Sequence, residues 1–231
     1  MTALIRYRPH GAGILDRNKR DGAVLVLGDT MKSASVWSDM SGRGNHGLVY
    51  GAGTPPAATP GALGYLFDGV DDYVNAGNAA SLNITNAITI SAWVFKKNNS
   101  ITGHVLGKRT ATTGYFLYDA SETTMIFTVK IGGVSKSATT NSQTFLNNWN
   151  HVVGVYNGSN VIIYVNGIKQ TLMSSITGNI DSNTNSLFVG SYDGTVQFFD
   201  GSIDEVRIFN RALNATEIKR LYERTRILFG V

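Results

Sequence analysis

The sequence predicts an all-β fold, an antiparallel sandwich or barrel, from three observations. Its 231 residues include 26 glycines, 10 tyrosines and 10 phenylalanines but only 16% charged residues, a composition typical of short strands joined by glycine turns around an apolar core. Segments that alternate apolar and polar residues recur roughly every 10 to 20 residues. No long helical period interrupts them, which favours antiparallel connections between successive strands.

The strands are predicted in chain order, and two turns between them are specific. Asn157-Gly158 and Asn166-Gly167 each follow an alternating run and predict tight hairpins, because both central residues tolerate positive φ. They enclose the run 159–165, whose neighbours are therefore expected to pair with it. The predicted strands occupy residues 23–29, 65–77, 88–97, 104–109, 115–120, 124–133, 150–158, 160–170, 186–194 and 201–210.

One short helix is predicted near the C-terminus. Asn214 can cap its first turn, and Glu217 three residues later completes a capping box. Ile218 and Leu221 then form its apolar stripe.

The strand patterns divide the chain into one domain with short extensions. The proline-rich run 54–64 is predicted to be a loop, because strands on both sides of it are needed to complete one sandwich. We expect an N-terminal arm at 1–22, a domain at 23–222 and a C-terminal tail at 223–231.

Composition and charge exclude several classes of protein. The absence of cysteine excludes disulfides, thiolate metal sites and cysteine nucleophiles. No apolar stretch is long enough for a signal peptide or a membrane span. The net charge of +4 is uneven: residues 1–20 and 207–231 hold 11 basic and three acidic residues, a total of +8, so the remainder carries −4. The basic ends predict either docking on a partner or merely solvated termini. Nucleic-acid binding is not favoured, because no platform of basic and aromatic residues accompanies the charge.

Six segments in order resemble the laminin-G-like group of the concanavalin A-like lectin/glucanase superfamily. The resemblance implies an antiparallel jelly-roll sandwich of two packed sheets, with one short C-terminal helix and basic terminal arms outside the match. Members commonly bind glycans or proteins, often as accessory modules of secreted enzymes, adhesins and phage virion proteins, and the fold alone does not give an activity. The segments are WSDMSGRGNHG (37–47), YLFDGVDDYVNAG (65–77), ITISAWVFKK (88–97), WNHVVGVYNGSNVIIYVNGIKQ (149–170), SLFVGS (186–191) and FDGSIDEVRIFNRALNATEIKRLY (199–222).

The sequence does not support a catalytic site. Glucanases of the superfamily carry carboxylates on alternate residues of one strand, but here Glu205 is followed by Arg207 and Phe209. Asp204 and Glu205 are neighbours, so in a regular strand they point to opposite faces. The four histidines have no Ser-His-Asp or zinc spacing, and His151 is expected to pack within the sandwich.

Two loops carry oxygen ligands suited to calcium. In 38–47, Asp39 and Asn45 offer side-chain oxygens, and the resemblance places Asp204 or Glu205 nearby to complete a shell. The alternative is a loop whose side chains bond its own backbone, with one of these acids paired to Arg43 or Arg207. In both cases we expect the pair Asp204 and Glu205 to act as a structural clamp and not as a catalytic pair. In the second loop, Asp68, Asp71 and Asp72 surround a tight turn, which predicts a polar hairpin or a second ligand site.

A glycan site needs an exposed aromatic ring beside polar donors and acceptors. The strand positions of Trp93 and Trp149 favour the core, and Trp37 is expected to staple the loop after it. Four aromatic residues beside loops are the better candidates: Tyr115, Tyr118, Tyr192 and Phe198.

The arms suggest protein partners, with docking residues Arg6, Arg8, Arg17, Arg224, Arg226 and Phe229. The first hypothesis is a non-catalytic virion component, a phage capsid decoration or tail module that displays the domain for glycan adhesion and docks or oligomerises through its arms. A stand-alone lectin-like module of a cellular protein is the alternative, and a glycoside-active enzyme is third. The expected location is a virion surface or the extracellular space.

Overall fold

A computed structural model describes residues 22–32, 35–51, 64–97 and 102–231. Every strand pair in this part of the chain is antiparallel. The strands are β1 (Ala23–Lys32), β2 (Val36–Asp39), β3 (Gly47–Tyr50), β4 (Tyr65–Asp68), β5 (Tyr73–Asn75), β6 (Ile88–Lys96), β7 (His104–Arg109), β8 (Gly114–Ser121), β9 (Thr124–Ile131), β10 (Val134–Thr139), β11 (Trp149–Tyr156), β12 (Asn160–Val165), β13 (Ile168–Lys169), β14 (Ser174–Ser175), β15 (Phe188–Val189) and β16 (Asp200–Phe209).

The strands form two layers joined by one continuous hydrogen-bonded path. The order is β10-β9-β8-β7-β15-β5-β3-β2-β1-β16-β6-β11-β12-β13, with β14 on β12 and β4 on β16. The path folds back on itself, so that β9 of the first layer packs on β11 and β12 of the second. At Gly154 a side chain would collide with the ring of Phe127, which shows how closely the layers approach. The main core between them is apolar, as in other sandwiches.

A second, smaller core lies on the outer face of the second layer. Helix α1 (Ala215–Thr225) covers it, followed by a short 3-10 helix at Arg226–Phe229. Ile218 is fully buried against Val153 and Phe209, and Leu221 packs beside them. Strand β11 is consequently buried on both faces for most of its length.

The predicted helix start is confirmed. The side chain of Asn214 accepts from the backbone N–H of Glu217 at 3.0 Å, and the Glu217 carboxylate accepts from the backbone N–H of Asn214 at 2.8 Å. These reciprocal bonds satisfy donors that a helix start leaves unpaired. Another 3-10 helix spans Ala80–Leu82. No helix among the described residues has the length and hydropathy needed to span a bilayer.

The two asparagine-glycine turns differ. Asn166 and Gly167 both have positive φ, 51° and 78°, and join β12 to β13 as predicted. At the other turn only Gly158 is left-handed, at 90°. There the side chain of Asn157 accepts from two backbone N–H groups across a longer loop.

Some strands differ from the predicted ones. The run 65–77 is two strands, β4 and β5, on either side of a turn. β2, β3, β10 and β14 were not predicted, and β10 shows why: its sequence VSKSAT is mostly polar because one of its faces lies outside the core.

Candidate functional site

The outer face of the first layer carries an open groove of about 300 Å³. Its floor is formed by β7 to β10, and the loop between β15 and β16 forms one wall. The side chains that shape it include His104, Arg109, Phe116, Tyr118, Lys130 and Tyr192.

Strand register brings two basic side chains to one end of the groove. Arg109 of β7 pairs with Gly114 of β8. Val129 of β9 pairs with Tyr115, so Lys130, the next residue, lies across from Gly114. Arg109 and Lys130 therefore lie on either side of a residue without a side chain.

The wall is a loop held by its own hydrogen bonds. The hydroxyl of Ser191 donates to the carbonyl of Val196 at 3.2 Å and accepts from the N–H of Gly194 at 2.8 Å. The N–H of His104 donates to the carbonyl of Gln197 at 3.1 Å, which fixes the loop to β7. Tyr192 is thereby fixed beside the floor.

The aromatic rings of the groove are arranged around His104. Its ring stacks on Tyr118 with centroids 5.4 Å apart and meets the edge of Tyr192 at 5.2 Å. Phe116 lies 5.5 Å away. Gly107 makes this possible, because a Cβ there would lie 2.7 Å from the Cβ of Phe116.

His104 is a neutral base at physiological pH. Burial, with Arg109 nearby, lowers its pKa to about 3, although Asp193 and a hydrogen bond with Gln197 act in the opposite direction. Its Nδ1 is buried and has no hydrogen-bond partner among the described residues.

The guanidinium of Arg109 is held between two rings. Its carbon lies 3.7 Å from the centroid of Phe116 and 4.2 Å from that of Tyr192. Burial lowers its pKa. Lys130 donates from Nζ to the carbonyl of Ala111, and its pKa is lowered by burial and by Arg109. The groove floor is thus positively charged.

The structure brings two of the four predicted aromatic ligand residues into the groove. Tyr118 and Tyr192, both half-buried, line the groove. Phe198 is half-buried in the wall loop but is not among the lining residues. The prediction for Tyr115 is corrected: alternation along β8 turns it inward, where only 2% of it is exposed and its hydroxyl donates to the carbonyl of Leu82.

The oxygens of Asp39 are occupied by protein donors. One oxygen accepts from the N–H groups of Val26 and Ser41, and the other from the hydroxyl of Ser41 and the N–H of Asn45, all at 2.8 to 3.0 Å. Four donors match the lone pairs of a carboxylate. The side chain of Asn45 donates to the carbonyl of Val24. A calcium ion here stays a prediction, and it would have to replace these bonds.

Asp204 and Glu205 lie at a β-bulge, which corrects the expectation of opposite faces. Ile203 and Val206 both lie in the main core although three positions apart. Glu205 has a φ of 49°, and the register with β6 shifts here. Glu205 forms an ion pair with Arg207, as the alternative interpretation proposed.

Asp204 is fully buried beside this bulge. One of its carboxylate oxygens accepts from the N–H of Glu205 at 2.7 Å. Its side chain therefore holds the turned backbone, which is a structural role.

The aspartates of the second loop do cluster. Asp68, Asp71 and Asp72 offer oxygens within 4.8 Å of one another. Asp72 caps the turn by accepting from the N–H of Asp68 at 3.0 Å. Burial, followed by the charge of Asp68, raises the pKa of Asp72 to about 7.

His151 lies under helix α1, as expected for a packed histidine. Its Nε2 shares a hydrogen bond of 2.8 Å with the hydroxyl of Ser91, and burial lowers its pKa to about 3. Both residues are buried, at 3% and 1% exposed, so this Ser-His pair has no room for a substrate.

The C-terminal tail packs on its own domain. Phe229 stacks on Trp93 with centroids 4.1 Å apart and leans on Trp149 at 4.8 Å. This corrects the prediction that Phe229 docks a partner. Arg226 pairs with Glu223 at 2.7 Å, while Arg224 is exposed.

Three of the predicted docking residues belong to the N-terminal arm. These three, Arg6, Arg8 and Arg17, lie outside the described residues.

Sequence reasoning missed most of the groove, including its aromatic and basic residues His104, Arg109, Phe116 and Lys130. The signal that could have found them is the pairing of the strands 104–109, 115–120 and 124–133. Alternate residues of paired strands share a face, which groups Phe116, Tyr118 and Lys130. His104 and Arg109 are five positions apart and share that face because the register of β7 and β8 shifts between His104 and Leu106.

The model of the concanavalin A-like lectin/glucanases superfamily matches residues 68–219. The chain belongs to this superfamily. No curated protein sequence matches it significantly. Solved structures share the jelly-roll fold at low identity.

Two toxin structures and one enzyme domain illustrate the superfamily fold. The binding domain of Paraclostridial Mosquitocidal Protein 1 (18% identity, TM-score 0.66) and the receptor binding domain of botulinum neurotoxin D (15%, 0.68) align over 89% and 90% of this chain. The chain spans about half of each, 53% and 54%. Domain 4 of AbnA, a GH43 extracellular arabinanase from Geobacillus stearothermophilus, was solved in complex with arabinotriose; it aligns over 87% of this chain and 98% of its own length (18%, 0.68).

Proposed function

We propose that this superfamily member is a non-catalytic glycan-binding protein whose ligand lies in the groove between β7–β10 and the wall loop. The observation that carries the proposal is the half-buried pair Tyr118 and Tyr192, which are packed around the buried His104 in an open groove. Sugars present apolar faces and hydroxyl groups, so a site needs rings beside polar atoms in a concave surface. The groove offers both, and its rings are fixed before any ligand arrives.

The neighbouring structures support a binding role. The toxin domains are named for binding, and the AbnA domain holds a trisaccharide. No pair of carboxylates lines the groove in the described part of the chain, whereas hydrolysis of a glycosidic bond uses two.

The proposal is tested by a glycan array followed by calorimetry. We expect Tyr118→Ala and Tyr192→Ala each to weaken binding at least about tenfold, a loss of about 1.4 kcal/mol. Tyr50→Ala is the matched control, because Tyr50 is 40% exposed and stacks on Tyr73 outside the groove. Equal binding by all three variants, or no glycan bound by the full chain, would refute the proposal.

A second proposal is display on a virion. It is supported by the +8 charge of the chain ends. The C-terminal end also exposes apolar side chains, Ile227 at 76% and Leu228 at 37%, beside the exposed Arg224. Exposed apolar groups next to basic charge suit a protein partner.

Calcium as a structural ion also stays a proposal, tested by the change in melting temperature on chelation.

The particle mass tests the assembly proposal. We expect the full chain to form a defined assembly, and the chain without residues 1–22, or with Ile227→Ser, to run as a monomer. Monomers in all three preparations would leave the stand-alone lectin as the better description.

A further inference from the structure

The positive charge of the groove has no acidic partner among the described residues. The ion pairs of the described residues join other side chains, and none includes Arg109 or Lys130. Asp193 in the wall loop is close enough to act on His104, but it forms no ion pair with either cation. Buried cations without counter-charges are costly, which is consistent with the lowered pKa of both groups.

The opposite face of the molecule shows what such an arginine gains from an acid. There Arg207 is buried beneath helix α1 and paired with Glu205. The two arginines occupy similar surroundings, each close to a buried histidine whose pKa it lowers. Arg109 has no such carboxylate in the part of the chain that the structure describes.

The geometry of Arg109 suits a carboxylate that comes from outside. Its guanidinium is clamped between Phe116 and Tyr192, so its plane is fixed in advance. Its Nε is engaged with the carbonyl of Thr110 at 3.4 Å. A planar guanidinium binds a carboxylate through two parallel N–H donors, and Lys130 adds a second positive charge at the same end.

We infer that the groove selects an acidic glycan, a sugar that bears a carboxylate, and that this carboxylate binds at the end marked by Arg109 and Lys130. The inference rests on the proposed function, since it names the class of glycan for the same groove. The sugar ring then lies over Tyr118 and Tyr192.

The decisive probe is one oligosaccharide with and without its charge. Galacturonate oligosaccharides are compared by calorimetry with the same oligosaccharides after their carboxyl groups are reduced to alcohols. We expect the acidic form to bind at least about tenfold more tightly at low salt, and the preference to shrink as salt is added. Sialyllactose against lactose serves as a second pair.

Variants of Arg109 and Lys130 test whether these two cations cause the preference for the acidic oligosaccharide. Arg109→Gln and Lys130→Gln should reduce the acidic preference to about twofold or less. Lys136→Gln removes the same charge from β10 outside the groove lining, and should leave the preference intact. If Arg109→Gln disturbs the rings, Lys130→Gln still tests the acidic preference, because glutamine removes the charge of Lys130 and keeps an N–H donor.

The outcomes separate this inference from the proposed function. Equal binding of acidic and reduced forms, both lost in Tyr118→Ala, overturns the acidic preference and keeps the glycan site. Tighter binding of sulfated galactose oligosaccharides than of galacturonates overturns the carboxylate assignment. Absence of binding by every probe overturns both.

Discussion

The two outer faces of the sandwich are built from similar residues but are completed differently. On the second layer, Trp93 and His151 lie under a lid of the same chain, with Phe229 stacked on Trp93 and Tyr222 5.8 Å from it. On the first layer, no described segment covers the rings around His104 in this way, and they shape the groove. One face obtains its aromatic lid from the C-terminal segment, whereas on the other no described residue takes that position.

The charges on the two faces follow the same division. Arg207 has Glu205 beside it, while Arg109 contacts aromatic rings, the carbonyl of Thr110 and the cation Lys130, and pairs with no acid among the described residues. The covered face therefore indicates what the open face lacks: an apolar cover and a carboxylate. An acidic sugar, which has an apolar ring face and a carboxylate, would provide both.

Removing the lid should give the largest effect. Phe229→Ala deletes a side chain that is 6% exposed and stacked on Trp93, so we expect the free energy of unfolding to fall by about 3 kcal/mol. Urea denaturation measures this. Ile227→Ala, two residues away and 76% exposed, is the control and should change stability by less than about 0.5 kcal/mol. If both variants are equally stable, the C-terminal segment is not a lid.

Substitution of the two arginines should give the next largest effect, and the loss of stability should differ between the two faces. Arg207→Gln leaves Glu205, whose side chain is 12% exposed, without its partner, and should lower the free energy of unfolding by about 2 to 3 kcal/mol. Arg109→Gln removes a cation that pairs with no described acid, so its contacts with the rings and a long hydrogen bond to Thr110 are lost, about 1 kcal/mol or less. Equal losses in thermal denaturation would mean that Arg109 also has an acid partner.

Much of the fold could be predicted from the sequence because its signals are local. Alternating runs locate the long strands, and Asn214 with Glu217 marks the helix start. β10 could not be predicted, because one of its faces lies outside the core and its sequence is therefore mostly polar. The bulge at Glu205 could not be predicted either, since no glycine marks its left-handed backbone, and β16 is held there by neighbours on both sides.

The groove could be predicted only in part. Tyr118 and Tyr192 were found because they stand near loops, whereas Arg109 and Lys130 are 21 positions apart and meet only through the register of β7, β8 and β9. Tyr115 was misassigned because exposure was judged from a nearby loop, and the alternation of β8 decides it instead.

The two buried histidines give a smaller effect than loss of the lid, and they are the finest test of the comparison. Each has a pKa of about 3 when folded, against about 6.5 when unfolded, so the unfolded state binds more protons between these values. Stability contributed by each neutral ring is present above about pH 6.5 and is lost as the pH falls towards 3. Relative to His104→Gln and His151→Gln, the unchanged protein should lose about 2 kcal/mol per histidine by about pH 5.

Urea titrations across this pH range measure the loss, and the ring proton shifts of the two histidines report their pKa values directly. Burial is the first cause for both rings, so the two slopes should agree although, among the described residues, a lid of chain covers His151 and not His104. If His104 instead titrates near its ordinary pKa, water reaches the groove floor. Arg109 would then be solvated, and the case for a carboxylate ligand beside it would weaken together with the resemblance between the two faces.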